Sequence, residues 1–120
     1  MLSILVVDDR VDYREALVRL LDKQPDMEVV AQAGSLSEAR EIKLEGIDVA
    51  LLDRGLPDGD GLELIGDVRR ASPGAKVLMM SLTMEQMHPE EALEAGADVI
   101  VDKVALPQEI ADRVREAVGE

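Results

Sequence analysis

The chain has 120 residues, carries 26 acidic against 13 basic side chains for a formal net charge of −13, and contains no cysteine and a single aromatic residue, Tyr13. That length suits one domain over residues 1–120 with a real core, and the missing thiols exclude a disulfide framework, a thiolate metal site and a catalytic cysteine. So acidic a chain is ill suited to gripping nucleic acid or an anionic membrane, one aromatic cannot build a base-stacking platform, and neither a bilayer-length apolar run nor a signal-peptide opening is present, all of which suits the cytoplasm.

In chain order, Leu2 to Val7 is a β-branched apolar run that stops at Asp8-Asp9 and reads as a first strand. Asp12 to Gln24 places Ala16, Leu17, Leu20 and Leu21 on one stripe at helical spacing, and Pro25 ends the helix. Glu28 to Ala33 reads as a second strand. Ser35-Leu36-Ser37-Glu38 has the form of a capping box and predicts a helix reaching to about Gly46. Ile47 to Asp53 is a short apolar run ending in a carboxylate, the pattern of a strand buried on both faces. The Gly- and Pro-rich stretch from Arg54 to Gly61 that follows is turn chemistry. Gly61 to Arg70 predicts a helix, broken by Ser72-Pro73-Gly74. Lys76 to Ser81 is a fourth strand, and Glu85 to Ala95 a helix with Gly96 as its stop. Val99 to Val101 is a fifth strand, and Pro107 opens a last helix carrying Ile110, Val114 and Val118. Met79, Met80, Met84 and Met87 are read as core and helix packing, and His88 as exposed near a helix start.

Strands alternating with helices predict a parallel sheet covered on both faces. Right-handed crossovers then bring every strand exit to one edge, where open α/β sheets bind ligands. Asp8-Asp9, Asp53, Ser81 and Lys103 would meet there. Three carboxylates in a partly dry cleft repel one another unless a cation joins them, and oxygen-only donors favour a hard ion such as Mg²⁺. Lys103 supplies a compact positive charge and Ser81 a hydroxyl donor. A carboxylate beside a metal ion and an ammonium can act as nucleophile toward phosphorus and form an aspartyl phosphate. The plainer reading makes these acids turn residues and Lys103 the partner of its neighbour Asp102 on the surface.

These residues resemble the receiver domain of two-component response regulators. The likeness spans the whole chain: Asp8-Asp9, Asp53, Pro57 and Gly61, Ser81 and Lys103 stand in the family's order at the ends of successive predicted strands. It implies a flavodoxin-like (βα)5 fold with a five-stranded parallel sheet in the order 2-1-3-4-5. By resemblance, Asp53 is the phosphoacceptor and Asp9 a direct Mg²⁺ ligand. Asp8 is a ligand largely through water, and the Gly55 backbone carbonyl a further one. Ser81 would be the switch hydroxyl and Lys103 its ion-pair partner, with the phosphoryl group coming from a sensor histidine kinase or phosphotransfer protein. The stretch Met27 to Ala33 is similar to receivers joined to helix-turn-helix DNA-binding domains, which implies a C-terminal output domain and transcription regulation; a homodimer stands apart as an open expectation. The chain departs from the family pattern at Val104, where proline usually follows the lysine. It departs also at Ile100, where an aromatic is common, at Leu82, where alanine is favoured, and at Gly55 and Thr83, where polar side chains often stand.

The implied protein is a phosphoacceptor that assists its own phosphorylation and dephosphorylation, and not an enzyme with an external substrate. Three alternatives stand beside it. A receiver-like module that signals by binding alone would keep the site. A Mg²⁺-dependent phosphohydrolase would want a general acid two residues after Asp53, where Gly55 sits. A flavin module would want a phosphate cradle where Asp8-Asp9 stand.

Overall fold

Six consecutive apolar or small residues with β-branched character form β1 (Leu2–Val7), whose last four residues are buried. The chain then alternates: α1 (Val11–Asp22), β2 (Met27–Ala33), α2 (Leu36–Arg40), β3 (Val49–Asp53), β4 (Gly55–Leu56), β5 (Gly59–Asp60), α3 (Glu63–Ala71), β6 (Lys76–Ser81), α4 (Pro89–Glu94), β7 (Val99–Asp102) and α5 (Pro107–Val118). This computed structural model describes residues 1–82 and 88–119. The main sheet is five-stranded in the order β2-β1-β3-β6-β7, with every pairing parallel. That is the flavodoxin-like order 2-1-3-4-5 expected from the sequence.

Successive side chains of a strand point to opposite faces, and here both faces are covered. Ile4, Val6, Val49, Leu51 and Val101 pack on one side with Leu17 and Leu21 of α1 and Ile110, Ala111 and Val114 of α5. Leu5, Val7, Ala50, Leu52 and Met79 pack on the other with Leu36, Leu64, Ile65, Val68 and Ala92 from α2, α3 and α4. Burying a side chain of this kind contributes about 1.5–3 kcal/mol relative to leaving it exposed. Met79 and Met80 lie in the core as expected, and Met84 and Met87 fall outside the described residues.

The structure corrects several element boundaries. The helix opened by Ser35 stops at Arg40, not near Gly46. Its cap is as the motif implies at one end, with Ser35 Oγ accepting from the Glu38 N–H at 3.1 Å, but the Glu38 carboxylate accepts from Gly34 N–H, not from Ser35. The helix ends early because the chain turns inward to bury Leu44 and Ile47. Ser72 Oγ anchors that turn, donating to the Leu44 carbonyl at 2.5 Å and accepting from the Ile47 N–H at 3.0 Å. β3 accordingly begins at Val49 and not at Ile47. The helix after the Gly-rich loop begins at Glu63, two residues later than its pattern suggests. Turn residues 54–61 include a two-residue antiparallel ribbon, Gly55–Leu56 with Gly59–Asp60, which the turn reading did not resolve. Within the predicted Glu85–Ala95 helix, residues 88–95 are described and are helical over Pro89–Glu94. Gly96 follows at φ +111°, a left-handed conformation that glycine adopts without strain and that stops the helix as expected. His88 is exposed.

Candidate phosphoacceptor site

The alternation that packs Ile4 and Val6, Val49 and Leu51, and Val101 against α1 and α5, carried one step further, sends Asp8, Asp53 and Lys103 to that same side of the sheet edge. There they meet. One carboxylate oxygen from each of Asp8, Asp9 and Asp53 lies within 4.8 Å of the other two. The Lys103 Nζ is 2.6 Å from Asp8 Oδ2 and 3.3 Å from Asp53 Oδ2, with only 2% of the lysine side chain exposed. Asp8 and Asp53 are buried, whereas Asp9 is exposed. Lys103 is therefore not the surface partner of Asp102, whose Oδ1 instead accepts from the Val104 N–H.

Local backbone chemistry holds the two buried acids. Asp8 Oδ1 accepts from the Arg10 N–H at 2.9 Å in a turn that leads into α1. Arg14 Nη1 donates to the Asp8 carbonyl at 2.7 Å while its Nε donates to Gln32, which ties the end of β1 to β2. Asp53 Oδ1 accepts from the Gly55 N–H at 3.2 Å. Gly61 packs so closely on the end of β3 that a Cβ there would collide with the Asp53 carbonyl, the physical reason a glycine stands at this point of the loop. Asp9, Arg10, Asp53, Gly55, Ser81, Leu82 and Lys103 line a cleft of about 210 Å³.

The electrostatics of this cleft are unbalanced. Burial pushes the Asp53 carboxyl above its ordinary value, attraction to Lys103 opposes the shift, and repulsion from Asp8 adds to it. Asp8 Oδ2 has the Lys103 ammonium beside it but no partner with hydrogen-bond geometry among the described residues. Three clustered carboxylates, two of them sharing one ammonium, suit a hard divalent cation, and Mg²⁺ fits such an all-oxygen donor set.

Two residues in and around the cleft were not foreseen from sequence. The Tyr13 ring lies under the Lys103 ammonium, with Nζ 4.7 Å from its centroid. Burial, followed by the charges of Asp8, Asp53 and Asp102, pushes its hydroxyl up to about 12, so it stays neutral at physiological pH. Its position four residues after Asp9 at the start of a helix was the available signal. Arg54, next to the phosphoacceptor candidate, pairs at 2.5 Å with both Asp60 and Glu91 and so joins the Gly-rich loop to α4. Asp58 accepts from the Leu36 and Ser37 N–H groups at the start of α2. The acids of the Asp58-Gly59-Asp60-Gly61 stretch are thus engaged in turn and capping contacts.

The response regulator receiver domain family matches residues 4–115 of this chain. The chain belongs to that family. Among its relatives, the DNA-binding transcriptional activator DevR/DosR of Mycobacterium tuberculosis is 35% identical over 117 residues, covering 97% of this chain and 54% of that protein. The response regulator protein VraR of Staphylococcus aureus is 33% identical over 119 residues, covering 96% of this chain and 56% of that one. Among solved structures, the signal receiver domain of a NarL response regulator from Mycobacterium tuberculosis superposes with a TM-score of 0.83. It is 30% identical, with 99% of this chain and 98% of that chain covered. This receiver spans about half the length of the curated relatives it matches.

The positions that depart from the family pattern are now placed. Leu82 lines the cleft and is 47% exposed, Val104 is 74% exposed, and Ile100 packs half-buried against the core on the α2, α3 and α4 side. Gly55 forms part of the cleft wall, and Thr83 lies outside the described residues. Among the described residues no helix is long and apolar enough to cross a membrane.

Proposed function

We propose that this receiver accepts a phosphoryl group on Asp53 and passes the resulting change to a partner or output surface. The supporting observation is the convergence of Asp8, Asp9 and Asp53, with ligand atoms within 4.8 Å of one another, beside a Lys103 ammonium that lies 2.6 Å from Asp8 and 3.3 Å from Asp53. An Asp53 carboxylate oxygen forms the new O–P bond as the N–P bond of a donor phosphohistidine breaks. The departing imidazole nitrogen takes up a proton. Lys103 counters charge on the acceptor and the transferred group. Ser81, which lines the same cleft, donates its hydroxyl to a phosphoryl oxygen. Asp8, Asp9, Asp53 and the Gly55 carbonyl would hold Mg²⁺, which when bound offsets the charge that repels an incoming phosphoryl group. The chain assists its own phosphorylation and dephosphorylation and acts on no other substrate.

The donor is a sensor histidine kinase or phosphotransfer protein. DevR/DosR is described as a DNA-binding transcriptional activator. By that likeness, residues 1–120 act as the N-terminal receiver of a longer cytoplasmic regulator whose C-terminal domain binds DNA. This domain itself does not grip nucleic acid, since its charge is −13.

Incubation with a small phosphodonor and Mg²⁺, followed by intact mass, tests the reading. A single phosphoryl adduct is expected, abolished by chelator and in Asp53→Asn. An adduct that persists in Asp53→Asn would refute the assignment, and none in the wild type would leave a module that signals by binding alone.

A further inference from the structure

Lys103 is a buried ammonium with charged neighbours on one side and a ring on the other. Asp8 lies 2.6 Å away and Asp53 3.3 Å away, while the face of Tyr13 lies 4.7 Å from Nζ. The tyrosine is anchored at the start of α1 and packs against the core layer that contains Ile4, Val6 and Leu17. Its hydroxyl oxygen is buried and has no hydrogen-bond partner among the described residues. The part of this side chain engaged with the site is therefore the ring face.

We propose that Tyr13 is a positioning residue for phosphoryl acceptance, its ring face holding the Lys103 ammonium against Asp53. The inference rests on the phosphoacceptor reading of Asp53. An aromatic face attracts a cation through its quadrupole and carries no charge of its own. It can stabilise the ammonium without adding a further anion to a cleft that already holds Asp8, Asp9 and Asp53. A carboxylate in its place would deepen the repulsion there. An aliphatic side chain would fill the volume but leave Lys103 directed by Asp8, the nearer of its two acidic partners. With the ring in place, the ammonium remains within reach of Asp53 when Asp8 turns to other partners. The ring touches no reacting atom and acts through Lys103.

Tyr13→Phe keeps the ring and removes the hydroxyl, and Tyr13→Leu removes both. In metal-free protein, the Lys103 ε-methylene protons should resonate upfield in the wild type and in Tyr13→Phe, and at their ordinary position in Tyr13→Leu. With acetyl phosphate and Mg²⁺, Tyr13→Phe should acquire the adduct at the wild-type rate. Tyr13→Leu should be slower by about three- to tenfold, the range expected for loss of a partly buried cation–π contact. Mg²⁺ affinity measured by calorimetry should be unchanged in both. In a Lys103→Met background Tyr13→Leu should have no further effect, whereas a packing role would slow that background too. Should Tyr13→Leu fail to fold, Tyr13→Met supplies a flexible replacement without a ring. A wild-type rate in the ring-less variant, or an equal slowing with and without Lys103, overturns this inference alone. Absence of any adduct in the wild type overturns the phosphoacceptor reading beneath it as well.

Discussion

The two ends of the sheet handle charge in opposite ways. At the amino ends of the strands, charges are matched and largely in reach of water. Arg115 of α5 pairs with Asp26 through two contacts of 2.8 and 2.9 Å and also donates to Gln24. Arg69 of α3 bridges to Asp98 and donates to the carbonyls of Gly96 and Ala75, and the Asp48 carboxylate accepts from the Ser3 N–H. These contacts staple helices to strand starts. At the carboxyl ends, Asp8 and Asp53 share the Lys103 ammonium with Asp9 close beside them, and three of those four residues are buried. Matched exposed pairs add little to stability each and perform no chemistry, whereas buried unmatched charge is retained at a cost in stability and is therefore a mark of function.

The contrast is most severely tested by Lys103→Met. Removing the ammonium leaves Asp8 and Asp53 buried side by side, and a loss of about 3–5 kcal/mol is expected in Mg²⁺-free urea denaturation, the range for breaking a buried pair. Added Mg²⁺ should restore part of it, because a ligand that binds the folded state stabilises it by mass action. Next in size is Gly61→Ala, whose Cβ would displace the Asp53 carbonyl. A loss of about 1–3 kcal/mol is expected from such overpacking, together with slower adduct formation.

Asp53→Asn should act in the other direction and raise the urea midpoint of the metal-free protein at neutral pH. The folded state holds the Asp53 carboxyl above its ordinary value through burial and Asp8, with Lys103 opposing. Between the unfolded and folded values the native state binds more protons, so stability falls as pH rises through that window. The gain from Asp53→Asn is then present above the window and shrinks as pH falls through it. The smallest effect belongs to Asp26→Asn. Hydrogen bonds from Arg115 hold that carboxyl below its ordinary value. Its stabilisation is therefore present above the unfolded value and is lost as pH falls through the folded one. A slight lowering of the urea midpoint near neutrality, vanishing in strong acid, is expected. Acid should thus relieve the carboxyl end of the sheet and loosen the amino end.

Much of this was readable from residue order. Strand β1 and strand β6 fall where their apolar runs place them, as does the start of α5 at Pro107. The strand order follows from alternating elements and right-handed crossovers. Asp8, Asp9, Asp53, Ser81 and Lys103 were each visible as polar residues ending apolar runs, and the cleft contains or adjoins all of them.

What residue order alone determined is the set of strands and the polar groups at their exits, because period-two and period-3.6 hydrophobicity are local signals. What only the tertiary structure decided depends on neighbours distant in the chain. α2 stops at Arg40 because Ser72, far along the sequence, anchors the Leu44–Ile47 turn. Arg54 reaches Glu91, and Tyr13 meets Lys103, across gaps that no periodicity spans. The pairing of the one aromatic with the one buried ammonium among the described residues is a product of packing two layers on a sheet, and local pattern carries no trace of it.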